Sequence, residues 1–517
     1  MLQIGSCLDP KSQLVRRQRQ KSFPLQRRTL STFGGKEVKV MDLSALFLSR
    51  LQFAFTVSFH IIFPSFTIGL AAWLVVLELL HLITGRQVFR RLFDFWLKIF
   101  GIAFGLGVVS GIVLGFEFGT NWSRLSEISG PIQGPLLSYE SFTAFALEAS
   151  FFGVLIFGRP RVSRFVYFLS TVMVALGTTF SAFWIMVNNS WMQAPVGYEF
   201  RNGAYAPIDW VAIIFSSVVW VRFPHMLIAA YLTGAFCVAA TGAWYLLRGT
   251  YASEARTMLN MGLFLAAVLI PVQLFFGHLN GDYVHARQPA KFAAIEGRWH
   301  DEQPAAEVVI AFPDATQESN HFELKIPYLG SLIASMHFDS KEVGLTDFPR
   351  SERPPVAIPF FSFRIMVACG LLMMLIAWLG FYLVIRGSLY SSRPMLWATF
   401  LSFPLPFIAT LTGWFTAEVG RQPWTIYGLM RTSDAVTPHL TSSSALISLI
   451  FFCAIYSLIF SFGVLYIYRL LRAGPAEGAL SAATNPKRPL ALPGGSPTLD
   501  SSGTQIAIGQ QRMEARQ

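Results

Sequence analysis

Residues 50–83 read RLQFAFTVSFHIIFPSFTIGLAAWLVVLELLHLI. Beyond Arg50 the only charged side chain in this run is Glu78. As a helix it is ~50 Å long at 1.5 Å per residue, more than the ~30 Å of hydrocarbon a span must cross. Working outward, comparable apolar runs recur at 95–119, 138–158, 165–190, 217–247, 257–278, 359–385, 394–418 and 444–471. The fold class is therefore an all-α integral membrane protein of about nine transmembrane helices, with one long external loop. Composition agrees: 53% of the 517 residues are hydrophobic and 13% charged, where soluble chains carry about a quarter charged.

The net charge of +11 does not indicate nucleic-acid binding. Nine of the basic residues crowd into 1–40, and most of the rest occupy short loops between spans. One set of loops holds Arg86, Arg90, Arg91, Arg159, Arg161, Arg164, Arg248, Arg256, Arg386, Arg393, Arg469 and Arg472; the opposite short loops hold Arg124, Arg201, Arg421 and Arg431. By the positive-inside bias the first set is cytoplasmic, so the core enters from outside. A basic leader at 1–40 conflicts with that insertion, and the working chain is expected to begin near Met41. Spans one to six then occupy 41–278, the external loop 279–358, spans seven to nine 359–471, and a disordered cytoplasmic tail 472–517. The loop is net acidic. It is expected to be functional, since loops of that length rarely are idle, and to be partly ordered at most. Cys7, Cys237, Cys369 and Cys453 form no CxxC or CxxCH pattern, which gives no sign of a zinc site, a redox dithiol or covalently attached haem.

Polar groups inside hydrocarbon are costly and call for explanation. They are His60, Glu117, Glu140, Glu148, His225, Arg364, Met366 and Glu418. His225 and Met366 lie near the outer ends of two inward-running spans, a depth match that suits an imidazole and a thioether gripping one haem iron from both faces; packing roles are the alternative. Arg364 beside Met366 suits a propionate. His60, ~15 Å into the first span, reads as an iron ligand or an interhelical hydrogen-bonding group. Glu140 and Glu148 lie ~12 Å apart along one helix and within about a quarter turn of one face, which suits stepwise proton transfer. Glu418 reads as a ligand, a proton carrier or an interfacial residue. Lys291 and Glu296 in the loop have i, i+5 spacing, which by itself suggests only solvated surface.

Several motifs then align in order: Ser-Arg-Leu-Gln-Phe-Ala-Phe before His60, Phe-Gly-Thr-Asn-Trp at 118–122, Trp-Met-Gln-Ala-Pro at 191–195, Lys-Phe-Ala-Ala-Ile-Glu at 291–296, Phe-Arg-Ile-Met-Val-Ala-Cys-Gly at 363–370 and Gly-Trp-Phe-Thr-Ala-Glu-Val-Gly-Arg-Gln-Pro-Trp at 413–424. Together they closely resemble subunit I of cytochrome bd-type quinol oxidases, across about residues 46–472. The loop length is similar to that of the short-loop branch, which includes the cyanide-insensitive oxidases.

That resemblance implies roles. His225 and Met366 match the axial ligands of low-spin haem b558, with Arg364 as its neighbouring arginine. His60 and Glu418 match the ligands of the two high-spin haems, haem b595 and haem d, or a third haem b in place of haem d; which ligand serves which haem stays open. Trp414 and Arg421 match residues beside those haems. Glu140 and Glu148 match acids of the dihaem site and its proton path, and Lys291 with Glu296 the quinol-site pair. Gly115 stands where many relatives have Glu, with Glu117 nearby, and Ala149 stands where they have Ser. The implied activity is quinol oxidation at the outer face of a bacterial plasma (inner) membrane and reduction of O2 to water, generating membrane potential without proton pumping. The implied partners are cytochrome bd subunit II and a small single-helix subunit, with no nucleic acid. A competing reading is a haem-free proton-coupled transporter built on Glu140 and Glu148.

Overall fold

The computed structural model describes residues 44–475. The leader at 1–40, the proposed start near Met41 and nearly all of the tail at 472–517 lie outside the described residues.

Nine helices among the described residues are long and apolar enough to cross a bilayer, and they coincide with the nine apolar runs. The first is α1 (Ala45–Thr84), which starts where the Ser44 hydroxyl accepts the amide of Phe47 and stops at Gly85 in the left-handed region. The second is α2 (Gln87–Thr120). The third is composite: α3 (Ser123–Tyr139), a π-helical stretch over Glu140–Phe145, and α4 (Ala146–Phe157). After α5 (Arg164–Gln193) come a small hairpin, β1 (Tyr198–Arg201) with β2 (Ala204–Pro207), and the short α6 (Trp210–Ile214) leading into α7 (Val219–Arg248). The next span is α8 (Ala252–Arg287).

The long connection that follows is ordered. It holds α9 (Pro289–Glu296), a bulged antiparallel hairpin of β3 (Glu307–Asp314) and β4 (Ser319–Ile326), and α10 (Leu329–Ser335). Two features correct the expectation of a partly ordered loop from 279. First, α8 continues as helix to Arg287. Second, the connection has a core of its own, with Ala293, Ala294, Trp299, Leu345 and Val356 packed together and every side chain from Lys291 to Glu296 buried. Burial on that scale offsets the entropy of ordering the chain. The bundle resumes with α11 (Ala357–Ile385) and a span in two pieces, α12 (Arg393–Leu401) and α13 (Leu405–Val419). Pro404, which has no N–H to donate, stands at the junction. A short hairpin of β5 (Trp424–Ile426) and β6 (Met430–Arg431), one turn of helix α14 (Thr432–Ala435) and the last span, α15 (Ser442–Ala473), complete it.

Small residues set the helix contacts, as suits packing in lipid, where apolar side chains gain little from leaving a medium as apolar as themselves. An added Cβ at Gly69 of α1 meets the Ala230 carbonyl oxygen of α7, and one at Gly234 of α7 lies 2.9 Å from the Gly69 backbone. At the end of the bundle away from the long connection, a buried ion network pins the spans together. The Arg159 guanidinium contacts Glu78 at 2.7 Å and Asp94 at 3.6 Å and covers the Tyr167 ring, while Arg91 pairs with Glu254.

Candidate redox and quinol site

Three of the four candidate iron ligands, all but Glu418, share one local feature: each faces a glycine of a neighbouring helix. His60 of α1 lies against Gly111 of α2, where a Cβ would stand 3.0 Å from Cε1. His225 of α7 lies against Gly277 of α8, with the corresponding distance 3.3 Å. Met366 of α11 directs its sulfur at Gly413 of α13, where a Cβ would stand 2.8 Å away. Any larger residue would push these side chains off their positions.

Hydrogen bonding orients the rings. His60 Nδ1 is 2.9 Å from the Ser110 hydroxyl, which holds one ring nitrogen and leaves the other to a ligand. His225 Nε2 lies 3.3 Å from Gln273 Nε2, while its buried Nδ1 has no hydrogen-bond partner among the described residues. Such an orphaned nitrogen is costly unless something binds there.

A second group gathers where α5, α7, α9 and α13 meet. Glu418 Oε1 accepts from Asn189 Nδ2 at 3.0 Å and Gln193 Nε2 at 3.1 Å, and its other oxygen pairs with Arg421. Arg222 Nη2 lies 4.0 Å from the same carboxylate. Lys291 donates to Gln193 Oε1 at 3.2 Å and the Ala417 carbonyl at 2.9 Å. Its stem runs against Gly420, the first residue of the Gly-Arg-Gln-Pro-Trp stretch. Burial, reinforced by the charge of Arg222, pushes the Lys291 ammonium pKa down to about 7. Three basic groups therefore surround one carboxylate, and Arg421 keeps two buried donors, Nε and Nη1, unpaired among the described residues. An anionic group such as a haem propionate fits that surplus. Trp414 stands nearby in sequence, its ring 6.5 Å from that of Phe53.

The structure does not join Lys291 to Glu296. The two ends of α9 feed separate clusters. Glu296 turns to Arg364 of α11 and Glu307 of β3, with Arg364 Nη2 4.0 Å from one carboxylate and 3.6 Å from the other. Arg364 also donates to the backbone carbonyls of Ile295, Val308, Val309 and Phe360. Its guanidinium is thereby committed to the long connection. Gly297, at φ +66°, lets the chain turn out of α9 with its Cα against the Phe360 ring.

Glu140 accepts from the Ser181 hydroxyl at 2.7 Å, and Glu148 is buried one helical segment further on. The π-helical turn between them departs from the regular α-helical geometry on which their shared face was reckoned; π-turns recur at functional sites. Glu117 is fully buried on α2, with no donor to either oxygen among the described residues.

Sequence reasoning missed Asn189, Gln193, Arg222 and Glu307. Two of these carried a signal: Gln193 lies inside the Trp-Met-Gln-Ala-Pro motif, and Arg222 is a charge in an apolar run three residues before His225.

The family model for cytochrome bd terminal oxidase subunit I matches residues 48–475. The chain is 35% identical over 440 residues to cytochrome bd ubiquinol oxidase subunit 1 of Bacillus subtilis, covering 83% of this chain and 93% of the relative. It is 34% identical to cytochrome bd-II ubiquinol oxidase subunit 1 of Escherichia coli, covering 83% and 96%. The bd oxidase structure from Geobacillus thermodenitrificans superposes with a TM-score of 0.78 at 28% identity, over 83% of this chain and 99% of that one. The chain belongs to the cytochrome bd terminal oxidase subunit I family.

Proposed function

We propose that His225 and Met366 hold a low-spin haem, b558, that His60 and Glu418 serve the high-spin haems (b595, and d or a third b), and that quinol is oxidised beside α9. As a member of its family the chain is the subunit I of a quinol:oxygen oxidoreductase of the bacterial membrane, working with a subunit II. A single-helix subunit is a further candidate partner. Family membership displaces the transporter reading.

Bound haem supplies what no side chain can, one-electron redox chemistry and the reduction of O2. The protein supplies the rest. His225 and Met366 come from different helices and are backed by Gly277 and Gly413, so their ligating atoms are set by helix packing and not by loop conformation. Arg421 offers two donors that are unpaired among the described residues to acidic groups of a macrocycle, and Trp414 would line the same region. Lys291, held near neutrality by burial, can be a neutral hydrogen-bonding group toward quinol at working pH, and Glu296 a proton acceptor. Glu140, bonded to Ser181, and buried Glu148 form the relay that brings protons to the O2 side. Arginine-rich loops at the end opposite the long connection support an orientation with that connection outside and the last helix ending in the cytoplasm. Protons taken from the cytoplasm and released outside then build membrane potential without a pump.

The observation that carries this reading is the glycine-backed trio of His60, His225 and Met366, with an orphaned nitrogen on His225, in a chain of this family. Reduced-minus-oxidised absorption spectra of the assembled oxidase test it. H225A and M366L should each abolish the low-spin signal, and H60A a high-spin one. Retention of every haem in all three variants refutes the assignment.

A further inference from the structure

Glu307 is a half-buried acid on β3 that the reading above does not use. Its neighbours are Glu296 from α9, Arg364 from α11 and Arg298 from the turn after α9. Glu296 Oε2 is buried and finds no N–H or O–H donor among the described residues. Arg364 Nη2 lies 4.0 Å from that oxygen and 3.6 Å from Glu307 Oε1, so the two carboxyls flank one guanidinium nitrogen. Two neighbouring carboxyls in a buried site oppose each other's ionisation, which favours a state in which one of them keeps its proton. Burial and the Glu296 charge accordingly push the Glu307 carboxyl up to about 9, against the opposing pull of Arg364 and Arg298. The pair is a proton-sharing dyad, with Arg364 neutralising its remaining charge.

The surroundings suit a lipophilic substrate. The hairpin turns Ile310, Phe312, Phe322, Leu324 and Ile326 outward, Phe322 at 87% exposure. Phe312 stacks beside Phe361 of α11, with centroids 6.0 Å apart. Through that contact the hairpin's apolar face adjoins α11, whose Ile358, Phe361 and Ile365 are also exposed, an apolar surface of the kind a hydrophobic ring system can bind.

We propose that Glu307 is a catalytic residue of quinol oxidation, sharing a proton with Glu296 and passing quinol protons to water. The inference rests on the reading that places quinol beside Glu296. Each quinol loses two O–H protons and two electrons. The electrons leave singly to ferric b-type haem, the oxidant of the family's activity. The first proton lodges on the open carboxylate, leaving two neutral carboxyls. Glu307, the more exposed partner, then releases a proton to water, the vacated oxygen takes the second, and a further release to water restores the singly protonated pair.

The test uses the oxidase assembled with subunit II, as wild type, E296Q, E307Q and E307D. Three measurements are made: quinol-driven O2 uptake against pH, the haem spectrum, and infrared difference spectra on quinol addition. E307Q should lower kcat about tenfold, less than the ~10²-fold or more that a lost general base costs because Glu296 remains, with an unchanged haem spectrum. E307D should recover most of the loss. A protonated-carboxyl band that fades in wild type as pH rises through about 9 should be missing from E307Q and E296Q. If E296Q is slowed while E307Q keeps its rate and the band, the inference falls and the quinol-site reading stands. If neither variant alters kcat or KM, the reading falls and takes the inference with it. Should E307Q fail to assemble, the wild-type titration decides, and a spectrum without that band overturns the proposal.

Discussion

Replacing Glu418 with glutamine removes one negative charge from a site holding Arg222, Lys291 and Arg421. The carboxylate accepts from Asn189 at 3.0 Å and Gln193 at 3.1 Å, pairs with Arg421 and lies 4.0 Å from Arg222. Glutamine keeps one acceptor oxygen, so part of the hydrogen bonding survives. The counter-charge does not. Breaking a buried pair by removing one partner costs roughly 3–5 kcal/mol, because the abandoned charge stays buried. Lys291 softens the loss, since without Glu418 its proton is held less firmly and the amine can go neutral. The arginines have no such escape. We therefore expect E418Q to destabilise the oxidase by about 3 kcal/mol, toward the low end of that range. The assay is urea unfolding of the assembled oxidase in one detergent, followed by tryptophan emission, with haem content measured on the same samples. R421Q and the double variant complete a cycle, for which a coupling of about 1–3 kcal/mol is expected between residues in direct contact. If E418Q unfolds within about 0.5 kcal/mol of wild type and shows no coupling to Arg421, the charge-hub argument is wrong. Haem loss at unchanged stability would instead assign Glu418 to the iron alone.

Two other outcomes follow from the site's geometry. Gly413→Ala puts a methyl 2.8 Å from the Met366 sulfur, so the low-spin haem band in a reduced-minus-oxidised spectrum should shift or vanish; Gly277→Ala, with 3.3 Å to His225, should perturb it less. Lys291→Met should change pH dependence in a definite direction. Because burial lowers the lysine's folded pKa to about 7, the wild type carries no charge penalty above the unfolded value of ~10.5. It acquires the penalty progressively as pH falls toward 7. K291M, measured by urea unfolding, should therefore gain on wild type from pH 9 to pH 6; the two lost donations leave Gln193 Oε1 still bonded by Gln288 and the Ala417 carbonyl by Gln193, and a constant difference across that range would refute the buried-amine argument.

The nine spans were readable in the sequence because hydrocarbon imposes a length and composition that no other environment demands. The same pressure exposed His60, His225 and Glu418 as residues needing an explanation. What stayed hidden depends on neighbours distant in the chain. Lys291 and Glu296, five residues apart, read as a pair, yet the partners that take them up come from α5 and α13 for one and from β3 and α11 for the other. The place of Arg364 beside Met366 suits a propionate, and nothing local signals the hydrogen bonds that it makes to the long connection. The π-turn at 140–145 has no local composition signal, since Glu-Ser-Phe-Thr-Ala-Phe suits an ordinary helix as well. The order of the long connection was concealed by its polarity: its small core draws on residues as far apart as Ala293 and Val356.

The arrangement also explains why a connection between membrane helices is folded so firmly. The helices that supply candidate ligands also supply charges to the two clusters: α7 carries Arg222 and His225, α11 carries Arg364 and Met366, and α13 carries both Gly413, on which Met366 rests, and Glu418. Helix α9 ties them together, Lys291 reaching α13 and Glu296 facing the arginine of α11. Its two charged groups are only ~7.5 Å apart along its axis, so neither cluster can shift without drawing on the other. A short buried helix, hydrogen-bonded to α5 and α13 at one end and ion-paired to α11 at the other, keeps the two clusters in fixed register, which is what the proposed division between proton-accepting groups and iron ligands requires.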